Sequence, residues 1–120
     1  MATFNRFEDI QVWQKVRILV RRIYEITNGG DFAKDFDLRS QIRRSGVSIM
    51  ANIAEGQGRR SDKEFANFLN FSLGSIAETK SHIYIAFDLN YINKTDFDEI
   101  YEKLDEAGKM TLALCRHLRK

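Results

Sequence analysis

The chain has 120 residues, 43% of them hydrophobic and 12% aromatic, which is the length of one domain with enough apolar material for its own core. It contains no Pro, which disfavours a sheet protein built on frequent tight turns and favours a few long helices. A single Cys excludes an internal disulfide framework, and a net charge of +2 means that any attraction to nucleic acid has to come from local clustering.

The first predicted helix runs from Asp9 to Thr27 and stops at Asn28-Gly29-Gly30, a strong breaker. Val12, Trp13, Val16, Leu19, Val20, Ile23, Tyr24 and Ile26 share one side of it. Lys15, Arg17, Arg21 and Arg22 lie on the opposite side, as a second basic surface or as an ordinary solvated helix face. The second helix spans Lys34 to Gln57. Leu38, Ile42, Gly46, Ile49 and Ile53, with Val47, Met50 and Ala54, cover about half its circumference, more than one core-facing stripe requires. Ser45, Gly46, Ser48 and Ala51 are small enough to admit another backbone. Asn52 and Glu55 stand among them and are expected to be buried, hydrogen-bonded across a helix or subunit contact and setting its register, and Glu55 can also pair with Arg59 one turn on. Arg39 and Arg43 fall inside the apolar arc and are expected to pair with acids, across a subunit boundary in the case of a ring.

The third helix opens at Ser61 and reaches Asn90, with Ser61-x-x-Glu64 as a capping box. Phe65, Phe68, Leu69, Leu73, Ile76, Ile83, Tyr84 and Phe87 cover one half, and Phe71, Ile85 and Leu89 stand outside it. Lys80, amid apolar neighbours, is expected to snorkel to an acid. The fourth helix runs from Thr95 to the C-terminus, with Phe97, Tyr101, Leu104, Gly108, Thr111, Cys115 and Leu118 at heptad spacing. Three short connections make sequential helices antiparallel. The expected fold is all-α: an antiparallel up-down four-helix bundle with short loops, one domain over residues 1–120. The surplus apolar faces of the second and third helices, Phe71 included, point to a homo-oligomer.

In such a bundle one end collects Arg6, Arg59, Arg60, Lys63, Arg116, Arg119 and Lys120, and the other Asp31, Asp35, Asp37, Asp88, Asp96, Asp98 and Glu99. A basic end attracts phosphate backbones without reading sequence, although helix dipoles alone favour the same arrangement. Gly56-Gln57-Gly58-Arg59-Arg60-Ser61 lacks the Lys-Ser/Thr pair of a P-loop, so a glycine C-cap followed by a Ser N-cap is the simpler account of it. Neither His82 nor His117 has a Glu three residues before it, as a di-iron bundle needs, and Cys115 sits in the core seam. No catalytic residue, metal or cofactor is expected. No apolar run is long enough for a membrane span and no signal-peptide core is present near the N-terminus, so the expected setting is the cytoplasm.

"FEDIQVWQKV" (residues 7–16), "QIRRSGVSIMANIAEGQGRRSDKEFANFL" (residues 41–69) and "GSIAE" (residues 74–78) resemble the bacterial four-helix-bundle family of 23S rRNA-intervening-sequence proteins. The resemblance covers most of the chain and is weakest over its last thirty or so residues. It implies an up-down bundle and a ring-shaped homo-oligomer, a pentamer, with no established enzymatic activity. The family's genes lie within insertions in ribosomal RNA, and a related branch serves diversity-generating retroelements, engaging nucleic acid and a reverse transcriptase. Here Met50 stands where the family usually has Pro and Gly46 where it often has Ala, and the loop "NGGDFAKDFD" lacks the usual Pro.

The expected function is therefore a non-enzymatic, homo-oligomeric scaffold associated with RNA or DNA. Arg59, Arg60, Lys63, Arg116, Arg119 and Lys120 would contact phosphates, and Arg43, Asn52, Glu55 and Phe71 would serve assembly and register. The alternative is a protein–protein adaptor that binds another protein through exposed apolar positions such as Phe71, with no nucleic acid.

Overall fold

Capping side chains set where three of the four long helices begin. In the computed structural model, which describes residues 4–120, a 3₁₀ turn at Phe7–Asp9 precedes α1 (Gln11–Ile26), α2 (Gly30–Lys34), α3 (Phe36–Gln57), α4 (Asp62–Asp88) and α5 (Lys94–Leu118). Asp35, Ser61 and Asn93 each accept a backbone N–H of the first turn that follows, from Leu38, Glu64 and Asp96. At Ser61 the box differs in one detail: the Glu64 carboxylate accepts from the Ser61 hydroxyl at 3.3 Å. α4 ends in a Schellman motif, with Asn90 left-handed at φ 62°, Tyr91 N–H on Ala86 O and Asn90 N–H on Phe87 O. Asn tolerates that φ better than other non-glycine residues.

The four long helices border one another in the cyclic order α1–α3–α4–α5, the arrangement of an up-down bundle, 46 × 20 × 19 Å. The described residues contain no strand. Val16, Leu19 and Ile23 of α1, Ile42, Ile49 and Ile53 of α3, Leu69 and Ile83 of α4, and Ile100 and Leu104 of α5 are fully buried along its axis. These are the positions the helical periodicity selects.

The first interhelical connection is structured. α2 inserts Phe32 into the core at 1% exposure, where its ring stacks on Tyr91 at 5.2 Å. The Tyr91 hydroxyl donates to Asp35 at 3.0 Å, and this bond to a carboxylate raises the phenol above its ordinary range.

Arg39 and Arg43 do not pair with acids among the described residues. Arg43 Nε donates to Thr27 Oγ1 at 2.8 Å and its guanidinium covers the Tyr24 ring. Arg39 donates to Ala33 O at 3.0 Å and covers the Phe36 ring. Arg43 sits at the C-terminal end of α1 and Arg39 at that of α2, where free carbonyls carry the negative pole of the dipole and do the work expected of a carboxylate. Lys80 does reach an acid, Asp105 at 3.1 Å. The Lys80 bond, with Lys109, holds that carboxyl below the usual carboxylate range.

Of the small residues of α3, Ser45 and Ser48 face α4 of the same chain, Gly46 faces Val20 and Ile23 of α1, and Ala51 is exposed. Thr79 Oγ1 meets Ser45 Oγ at 2.8 Å, Ser75 Oγ donates to Ser48 Oγ at 3.0 Å, and Ser72 Oγ donates to Ile49 O at 2.8 Å. His82 Nδ1 lies 3.3 Å from Ser45 Oγ. This hydroxyl seam lets the two longest helices approach closely while every buried polar group finds a partner.

Thr111 is different. Its Oγ1 is the one buried side-chain oxygen among the described residues with no hydrogen-bond partner. Thr111→Val removes an unsatisfied hydroxyl at nearly constant volume and is expected to raise the unfolding free energy by about 1 kcal/mol in urea titration. A loss of that size would mean that the hydroxyl is bonded.

Candidate nucleic-acid interface

The loop between α3 and α4, the N-terminal segment and the C-terminus of α5 meet at one end of the bundle. Gln57 Nε2 donates to Phe4 O at 2.9 Å, and Lys63, Asn67, Leu118, Arg119 and Lys120 line a common hollow. The turn itself is held by Gly56. A Cβ there would lie 2.8 Å from Phe68 Cβ, 2.9 Å from Phe65 Cδ1 and 3.2 Å from Phe65 O, so α3 and α4 close on each other only because the residue has no side chain. Gly58 caps α3 at an ordinary φ of −75°, without the left-handed geometry of a glycine C′. The glycine-rich stretch thus serves helix packing and capping.

The cations at this end are not equivalent. Arg59 Nη2 is bound to Glu55 at 2.8 Å and the guanidinium covers the Phe68 ring at 4.6 Å. Arg6 is paired with Glu8 at 3.1 Å. Arg60, Lys63, Arg116, Arg119 and Lys120 are exposed and make no ion pair among the described residues. Elsewhere Lys15, Arg22, Lys80, Lys94 and Lys109 are each engaged with an acid. At the acidic end Arg22 alone binds both Asp96, at 3.0 Å, and Glu99, at 3.2 Å.

Those contacts divide the second basic surface. Lys15 pairs with Glu106 at 3.2 Å and Arg22 with Asp96 and Glu99, so both tie α1 to α5. Arg17 lies 5.9 Å from the centre of the Trp13 ring, and Arg21 stays in solvent. Of the residues assigned to assembly, Arg43 serves the end of α1 as described. Asn52 and Glu55 are not buried within the chain. Asn52 is half-buried and donates to Ser48 O at 2.9 Å on its own helix, and Glu55 is exposed and holds Arg59. Asn52 and Glu55 turn outward because Ser45, Ile49, Ile53 and Gly56 make up the buried side of the same helix. Phe71 is 59% exposed.

The family model for 23S rRNA-intervening sequence proteins matches residues 8–113. The chain belongs to that family. A crystal structure from Bacteroides thetaiotaomicron, described as a protein of unknown function from the S23 ribosomal protein family, superposes with a TM-score of 0.79 at 29% identity. The match covers 87% of this chain and 97% of the other. No protein of curated function matches the sequence.

In this member of the family, the stretch that carries the resemblance is the α3–α4 turn: Gly56 permits the contact, Ser61 caps α4 and Phe65 packs beneath it at 5% exposure. No three His, Cys, Asp or Glu side chains converge among the described residues, and none of their helices is long and apolar enough to cross a membrane. Ser45, His82 and Glu78 form the one serine–histidine–acid grouping in the seam. Glu78 is 4.0 Å from His82 Nε2, beyond hydrogen-bond reach, and Ser45 lies mid-helix, where backbone N–H groups are spent on the helix and none is left to stabilise an oxyanion. The sequence reading missed this seam. Its signal was the recurrence of Ser and Thr at Ser72, Ser75 and Thr79, matching Ser45 and Ser48.

Proposed function

We propose that this member of the 23S rRNA-intervening sequence family is a non-catalytic, homo-oligomeric scaffold that holds nucleic-acid backbone on the basic end of its bundle. The supporting observation is the set of five exposed cations without ion pairs, Arg60, Lys63, Arg116, Arg119 and Lys120, collected at that end, whereas the exposed cations without ion pairs elsewhere, Arg17, Arg21, Arg44 and Lys103, are spread over three helices. A helix dipole is complemented by one or two charges in a last turn; here cations come from the α3–α4 loop, the first turn of α4 and the end of α5. Self-association is supported by large apolar side chains that one bundle leaves exposed, among them Val47, Tyr84, Ile85 and Leu89. A pentameric ring would set five basic ends on one face and multiply the attraction, and the native mass of the purified particle tests that number.

Titration of a labelled structured RNA at two salt concentrations tests the binding. Affinity is expected to fall steeply with salt, and Arg60→Glu with Lys120→Glu to lower the slope of log K against log salt by about 2, one unit per lost phosphate contact. Unchanged binding by that variant, with the particle intact, overturns the assignment. Exposed Leu89 and Phe36 favour a second reading, an adaptor for another protein, and a particle that binds neither RNA nor duplex DNA would decide for it.

A further inference from the structure

Folding of the chain does not account for the cluster around Phe71. The Phe71 ring stands edge-on to Phe68, with centroids 5.6 Å apart, and remains largely in solvent. Arg59 is locked over Phe68 by its bond to Glu55, so this aromatic floor is backed by a fixed guanidinium plane. Arg59, Glu64, Asn67, Phe68, Asn70 and Phe71 line an open hollow of about 430 Å³. Asn67 also borders the neighbouring hollow of Lys63, Arg119 and Lys120. The aromatic floor and the unpaired cations therefore adjoin on one continuous surface.

The geometry points to an unpaired RNA strand as the occupant of this surface, with one base stacked on Phe71 and the adjoining phosphates on Lys63, Arg119 and Lys120. The inference rests on the nucleic-acid reading above and extends it from backbone to base. An exposed aromatic face is a stacking platform for any splayed base, and the Asn67 amide carries the paired donor and acceptor that match a base edge, while Asn70, whose Oδ1 accepts from Cys115 Sγ at 3.7 Å, keeps its amino group as a donor. A phosphate would be repelled by Glu64, whereas a ribose 2′-hydroxyl can donate to it, and DNA has no such group. A duplex keeps its bases stacked inside, so it can use the cations but not Phe71. Charge complementarity thus decides the occupant: an apolar partner would leave the adjoining cations unused.

The full chain carrying Trp13→Phe and Phe71→Trp has one indole, at the proposed platform. Its fluorescence is expected to be quenched by an A-rich single-stranded RNA, less strongly and with several-fold weaker affinity by the same sequence in DNA, and not by duplex RNA. Phe71→Ala should weaken single-stranded RNA binding roughly tenfold, the lower range for one lost base stack, while duplex affinity and native mass stay as they were. Equal affinity for single strand and duplex, no quenching, and no effect of Phe71→Ala would overturn this inference. If the Arg60 and Lys120 reversals still weakened binding in that case, the backbone reading would stand without it. A parent protein that binds none of the three ligands removes both. Equal affinity for RNA and DNA strands overturns the choice of RNA, and a particle that dissociates on Phe71→Ala assigns the ring to a subunit contact instead.

Discussion

Phe32→Ala is expected to lower the free energy of unfolding by about 3–5 kcal/mol, the loss that follows deletion of a buried aromatic ring from a core. The size of the effect is unusual for its place in the chain. Phe32 lies between two glycines and an N-cap, in a segment that reads as a loop, yet it is among the largest fully buried side chains. Its ring closes the acidic end of the bundle against Tyr91, which in turn reaches Asp35, the residue that caps α3. Removing the ring leaves a void that rigid neighbours cannot fill, and it loosens the hydroxyl that steadies the cap. Total stabilities of about 5–15 kcal/mol make this a substantial fraction. Phe32→Leu keeps most of the volume and should cost clearly less. A loss below about 1 kcal/mol for the alanine variant, by urea denaturation, would show that the segment is a dispensable connection.

Gly56→Ala should destabilise the chain by about 1–3 kcal/mol, the usual penalty for inserting atoms into a packed contact. The sign matters more than the magnitude. A glycine inside a helix ordinarily gains about 0.5–1 kcal/mol on replacement by Ala, because Ala loses less backbone entropy. At Gly56 the new Cβ would meet Phe68 Cβ at 2.8 Å and Phe65 O at 3.2 Å, and neither atom is the tip of a flexible chain. Gly58→Ala is the internal control. Its Cβ would find Glu55 O at 3.5 Å, an ordinary contact, at a φ that any residue adopts, so it should be neutral or slightly stabilising. Opposite signs for two glycines two residues apart would establish that the turn is set by helix approach. Equal, small effects would refute it.

Much of the architecture was legible in advance. The boundaries of α1 and α4, the buried faces of α1 and α5 and the Ser61 cap follow from apolar spacing and capping residues, which act within a turn or two of the chain. The basic end was legible too, since up-down connectivity places distant segments together once the helices are known. The seam between α3 and α4 was not, because Ser and Thr read as polar at any position until a partner hydroxyl is known to lie across from them. Asn52 and Glu55 show the reverse error. Burial was inferred from small neighbours on the same helix, but of these Ser45 and Gly46 turn inward while Ala51, next to Asn52, lies in solvent.

Sequence by itself determined where helices run and which stripe of each is apolar, because propensity, caps and the 3.6-residue period are local properties of the chain. Tertiary structure decided which of the remaining charges stay available. A pair one turn apart, such as Arg59 with Glu55, is legible in the chain, but Arg22 is neutralised by Asp96 and Glu99, 74 and 77 residues further along, while Arg21 beside it is left in solvent. Beyond such one-turn pairs, whether a cation is spent or free depends on what the fold brings within about 4 Å of it from distant segments, and no local pattern carries that distance.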